Sequence, residues 1–104
     1  MADKDKVAIV TGAARGIGRE IVRELLASGM TVIAVDLRED LLQELPEALG
    51  QPGDKLACRT LDVTNSEGFT ALVDDVAEKF GRVDVLVNNA GITRDGLLMR
   101  MDDK

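Results

Sequence analysis

The chain contains no histidine, no tyrosine and no tryptophan. Acid–base chemistry within it therefore falls to Asp, Glu, Lys, Arg or the single Cys58, and no catalytic residue and no metal site is assigned from the sequence. Cys58 has no partner for an internal disulfide. Its expected role is that of a small buried hydrophobe in a reducing cytoplasm. No run of about 18 apolar residues occurs, so no membrane span is expected. The charged opening MADKDK leads straight into an apolar run, which is not how a secretory signal begins. A basic excess is lacking as well: the formal charge of −6 argues against a nucleic-acid partner, because phosphate backbones need a basic surface. What remains is an ordinary globular composition, 45% apolar and 31% charged in 104 residues, which predicts one domain over residues 1–104 with one modest core.

The organising stretch is Val7 to Gly18, VAIVTGAARGIG. An apolar run passes through Thr11-Gly12, carries glycines at 16 and 18, and continues as an amphipathic pattern. Strand, glycine turn and helix in that order present backbone N–H groups to a phosphate. Gly12 permits the turn, Gly16 permits close approach of a pyrophosphate, and Gly18 permits helix-on-strand packing. The same cluster also fits a tight turn that binds nothing.

Val7–Val10 reads as a strand buried on both faces. Ile17, Ile21, Val22, Leu25 and Leu26 form the apolar stripe of a helix that Gly29 stops. Thr31–Val35 is a second strand ending on Asp36. Leu41, Leu42, Leu45 and Leu49 mark a second helix, which Pro46 is expected to kink or divide and Gly50 to end. Leu56–Leu61 alternates apolar and charged residues and is a candidate sheet edge. Thr64-Asn-Ser-Glu67 fits a capping box for a third helix, with Phe69, Leu72, Val73, Val76, Ala77 and Phe80 on its apolar face. Val83–Val87, broken only by Asp84, is the fourth strand, and residues 92–104 leave no room for another. The expected class is α/β: half of a Rossmann-type doubly wound parallel sheet, β-α-β-α-β-α-β, with strand order 3-2-1-4.

That order brings several polar residues to one crevice. Two roles fit Asp36: acceptor of the adenosine ribose hydroxyls, repelling an added 2′-phosphate, or helix N-cap. Arg15 and Arg38 supply guanidinium groups able to reach a 2′-phosphate. The carboxylate weighs more, because a fixed negative charge beside a phosphate must be offset at every binding event, so NAD is preferred with NADP as the alternative. Asp62-Val63 fits adenine contacts or a turn before a helix. Asn88 and Asn89 read first as ties between strand ends, and the small Ala90 and Gly91 allow a ribose or nicotinamide to lie against the backbone.

Thr11-Gly12-x3-Gly16-Ile17-Gly18, Asp36, Asp62-Val63 and Asn88-Asn-Ala-Gly91 together resemble the amino-terminal half of a short-chain dehydrogenase/reductase. NNAGITRDGLLMRM, residues 88–101, resembles more narrowly the 3-oxoacyl-[acyl-carrier-protein] reductases of fatty-acid synthesis. The resemblance implies that Gly12, Gly16 and Gly18, flanked by Arg15 and Ile17, hold a pyrophosphate. It further implies that Asp36 selects the nucleotide, that Asp62 and Val63 contact adenine, and that Asn89, Ala90 and Gly91 flank the cofactor ribose. Members with an arginine at the position of Arg15 often use NADPH. The family's Tyr-x3-Lys pair, its serine and a helix-borne asparagine correspond to positions beyond Lys104. The resemblance therefore implies a truncated nucleotide-binding half, inactive alone.

Such a half would leave the fourth strand, VDVLV, with an unpaired apolar edge. A homodimer or higher oligomer through that edge, or through exchanged 92–104 tails, is expected. A self-assembling folding module with no enzymatic role is the alternative reading.

Overall fold

The computed structural model describes residues 6–89 and the backbone of residues 98–100. In chain order it contains β1 (Val7–Thr11), α1 (Gly16–Ala27), β2 (Thr31–Asp36), α2 (Glu39–Ala48), β3 (Leu56–Thr60), α3 (Ser66–Phe80), β4 (Val85–Asn88) and β5 (Leu98–Arg100). The sheet order is β3-β2-β1-β4-β5. The first four strands are mutually parallel, and β5 runs antiparallel to β4. The parallel part has the expected 3-2-1-4 order.

The two central strands are apolar on both faces because helices cover both. Val7, Ile9, Ile33 and Val35 pack with Leu72 and Val76 of α3 on one side. Ala8, Val10, Val32 and Ala34 pack with Val22 of α1 and Leu42 and Leu45 of α2 on the other. This double burial explains why β1 and β2 read as unbroken β-branched runs rather than as alternating ones. β3 lies at the sheet edge and grades from half-buried to exposed along its length, as its mixed sequence predicts.

Several elements depart from the sequence expectation. Pro46 does not divide α2: it lies in the last turn, where its carbonyl accepts the Gln51 N–H at 2.8 Å, so the helix runs through it to Ala48. A proline that late sacrifices one backbone bond near a terminus instead of breaking an interior ladder. The cap of α3 is Asn65, not Thr64; Asn65 Oδ1 accepts the Gly68 N–H at 3.0 Å, the bond expected of an N-cap side chain. Ala77 and Phe80 are exposed, leaving Leu72 and Val76 as the buried residues of α3. Ile17, placed on the apolar stripe by its spacing, is 72% exposed, because the first turn of α1 projects past the strand ends.

The fourth strand begins at Val85, later than expected. Asp84 ahead of it turns its carboxylate to the neighbouring strand: Oδ2 accepts the Val7 N–H at 2.8 Å, and the Asp84 N–H donates to the Val7 carbonyl at 2.8 Å. Arg82 closes the clamp with Nε and Nη2 each 2.8 Å from a different carboxylate oxygen. The outer edge of β4 is also not bare. Residues 85–87 pair with 98–100 in β5, so the chain covers in cis the edge on which the expectation of self-association rested.

Candidate functional site

Because β1 to β4 are parallel and in register, their carboxyl ends meet at one end of the sheet. Thr11 pairs with Val35 on one side and Asn88 on the other, while Asp36 pairs with Thr60. The loops leaving these ends line a cleft of about 620 Å³, a size common for small-molecule sites. Gly12, Arg15, Gly16, Asp36, Asp62, Val63 and Asn89 all line it. Of the other expected residues, Gly18 lies beneath the cleft, Ile17 faces a neighbouring groove on α1, and Ala90 and Gly91 lie outside the described residues.

The glycines divide the work by geometry. Gly12 and Gly16 have φ of 63° and 62°, a left-handed backbone that side chains resist. A Cβ on Gly16 would meet nothing within 4 Å, and Gly16 lines both this cleft and the groove along α1. Gly18 is the reverse case, since a Cβ there would run into the Gly12 carbonyl oxygen and stand 2.8 Å from Asn89 Nδ2. The residue preceding α1, Arg15, makes no side-chain cap, and the first turn holds no acidic residue. The amides of that turn have no intrahelical acceptor, and Arg15 and Gly16 at its start line the cleft at the positive end of the helix dipole.

Asp36 joins two loops. Its Oδ2 accepts the Ala14 N–H at 2.9 Å and its Oδ1 the Arg38 N–H at 3.0 Å. It is not the N-cap of α2, a position held by Arg38. A carboxylate has about four acceptor sites, so these two bonds leave acceptor capacity on a side chain that lines the cleft. Asp62 Oδ1 accepts from the Thr64 hydroxyl at 2.7 Å and the Thr64 amide at 3.0 Å, and these bonds, the hydroxyl first, hold its carboxyl below the usual range. The turn role of Asp62 is thus observed, and its Oδ2 is left for a further donor.

Asn88 and Asn89 tie strand ends, as their position suggested. Asn89 donates its backbone N–H to Thr11 Oγ1 at 2.9 Å and its side-chain amide to the Gly12 carbonyl at 3.2 Å. The fully buried Thr11 hydroxyl faces Asn88 Oδ1 at 3.2 Å and the Val87 carbonyl at 3.4 Å. Sequence reasoning missed two apolar residues of the cleft: Leu37, 62% exposed, and Leu61 line it beside the expected Val63. The signal was there, since a leucine following Asp36 at a strand end has no core to enter. Cys58 lies away from this end, half-buried against the α1–α2 side of the core, and burial pushes its thiol pKa up. Among the described residues no three His, Cys, Asp or Glu side chains gather as a metal site, and no helix is long and apolar enough to cross a membrane.

Residues 6–104 match the family model for short chain dehydrogenase. The 3-oxoacyl-[acyl-carrier-protein] reductase FabG of Salmonella typhimurium is 45% identical over 103 residues, which is 99% of this chain and 41% of that protein. FabG of Thermotoga maritima is 47% identical over 100 residues, 95% of this chain and 40% of that one. The chain thus spans about two-fifths of the length of these relatives. A short chain dehydrogenase from Bacillus anthracis superposes with a TM-score of 0.79 at 30% identity, over 85% of this chain and 35% of that one. An actinorhodin polyketide ketoreductase variant, whose structure contains NADPH, superposes with a TM-score of 0.76 at 42% identity, over 86% and 34% of the two chains. With its parallel strand order and a family-model match over residues 6–104, the chain belongs to the short chain dehydrogenase family.

Proposed function

We propose that these 104 residues are the dinucleotide-binding part of an NAD(P)-dependent oxidoreductase of the 3-oxoacyl-[acyl-carrier-protein] reductase type. The observation that carries this reading is the convergence of an uncapped helix N-terminus, a left-handed Gly16 and the Asp36 carboxylate on one cleft. The amides of the first turn of α1 hold the pyrophosphate. The open acceptor sites of Asp36 take the adenosine ribose hydroxyls, and Leu37, Leu61 and Val63 provide an apolar bed for adenine beside Asp62. Asn89, with Ala90 and Gly91, flanks the second ribose. When bound, the nicotinamide supplies hydride transfer. Asp36 favours NAD, because a 2′-phosphate would meet its charge, while Arg15 and Arg38 on the same cleft pull toward NADP.

These residues bind and orient but deliver no proton. The chain contains neither tyrosine nor histidine, and the resemblance assigns the proton donor to a tyrosine. A reducing cytoplasm suits the single half-buried thiol. Titration calorimetry with NAD and NADP tests the reading: saturable one-to-one binding with NAD the tighter ligand supports it, and no heat from either ends it. An NADH or NADPH oxidation assay with a 3-oxoacyl thioester is expected to show no turnover by this chain. Turnover proportional to its concentration would contradict the proposed division of labour.

A further inference from the structure

Arg38 lines the same cleft as Asp36, yet its best donor edge is already engaged. Nε is 3.2 Å from Asp40 Oδ1 and Nη2 is 2.9 Å from Asp40 Oδ2, a fork-to-fork pair that uses both carboxylate oxygens. The two side chains are 52% and 65% exposed, so the pair is not a buried support of the fold. Its consequence is directional: the Nε–Nη2 edge is one of the two edges with which a guanidinium grips a phosphate in bidentate fashion, and Asp40 holds it. The Arg38 backbone is fixed in turn, its N–H bound to Asp36 Oδ1 at 3.0 Å. Arg38 and Asp36 thus line the cleft from nearby backbone positions.

We propose that Asp40 is a positioning residue for nucleotide choice. It occupies the Nε–Nη2 edge of Arg38 and offsets part of its charge, so that a ribose 2′-phosphate competes with the Asp40 carboxylate for the guanidinium whereas a free 2′-hydroxyl does not. NAD preference then has two sources, the charge of Asp36 and the occupied fork of Arg38, and only the second can be relieved without touching a residue that faces the cleft. This inference rests on the reading of the cleft as a dinucleotide site.

The test compares dissociation constants for NADH and NADPH in the unaltered chain, Asp40→Asn, Glu39→Gln, and Asp40→Asn combined with Arg38→Ala. Glu39 is the charge control: it is the neighbour of Asp40, and its carboxylate faces Gln43, not Arg38. Asp40→Asn is expected to shift the affinity ratio toward NADPH by roughly three- to fivefold, the scale of an exposed ion pair. Glu39→Gln is expected to leave the ratio unchanged, and loss of Arg38 to abolish the shift. NADH binding by the unaltered chain with an unmoved ratio in Asp40→Asn overturns the role of Asp40 alone. So does an equal shift in Glu39→Gln, or a shift that survives without Arg38. Failure of the unaltered chain to bind either nucleotide overturns the dinucleotide reading and this inference with it.

Discussion

The carboxylate of Asp36 accepts the Ala14 amide at 2.9 Å, bridging the end of β2 to the glycine loop that leaves β1. A second backbone bond supports the same junction, from the Ala13 N–H to the Val35 carbonyl at 3.1 Å. The residue expected to read the ribose thus also holds the loop expected to cradle the phosphates. On the proposed reading of the cleft, nucleotide choice and loop order are coupled through one side chain.

That coupling predicts that Asp36→Ala does more than relax nucleotide preference. Ala14 and Arg38 lose their acceptor together, so NAD affinity is expected to fall at least tenfold without a compensating gain for NADP. Calorimetry with both nucleotides checks this. A clean switch to tight NADP binding would show that the loop does not depend on Asp36.

Gly18→Ala is expected to damage both stability and binding. The added methyl would collide with the Gly12 carbonyl and crowd the Asn89 amide, so either α1 moves off β1 or the Asn89–Gly12 bond breaks. A loss of about 2–3 kcal/mol in urea unfolding is expected, within the range of overpacked cores. Gly16→Ala is expected to fold with a smaller loss, from its positive φ, and to bind nucleotide poorly because it alters the glycine loop at the cleft wall.

Thr11→Val tests the tie between the strand ends. The replacement is nearly isosteric but puts a methyl where the Thr11 hydroxyl accepts the Asn89 N–H at 2.9 Å, so that amide loses this acceptor. A loss of about 1–2 kcal/mol is expected, together with faster hydrogen exchange at Asn89. Unchanged exchange would mean the amide has another partner.

At the other end of the sheet, Asp84 carries a pH dependence. Its carboxyl is held below the usual carboxylate range, chiefly by the hydrogen bond from Arg82 and further by the Val7 amide. A depressed folded-state pKa contributes stability that is complete above the ordinary aspartate value near 4 and is lost as pH falls through the folded value. Asp84→Asn is therefore expected to cost about 1–2 kcal/mol at pH 7 and progressively less below pH 4. A constant difference across that range would exclude the carboxylate as the source.

Much of the fold is legible in residue order because its signals are local and periodic. β2 and the edge character of β3 follow from their apolar patterns, and the Gly12–Gly18 turn from its glycines. Three features fail this way for separate reasons. β5 is three residues long and exists only through pairing with β4, a contact no local period records. Asn65 and Thr64 both suit a cap, and only the bond to Gly68 decides between them. Ile17 keeps helical spacing but lies beyond the strands that would bury it. The same limit applies to the site: residue types identified the polar groups of the cleft, whereas the Asp36–Ala14 bridge and the Arg38–Asp40 fork appear only once the loops are placed.

The most direct measurement is an amide NMR titration of this chain with NAD. Shifts that saturate together and map to Gly12–Gly18, Asp36–Arg38 and Asp62–Thr64 are the predicted result. Saturable binding whose shifts fall outside these three loops, or no saturable shift at millimolar NAD, would contradict the assignment of the cleft.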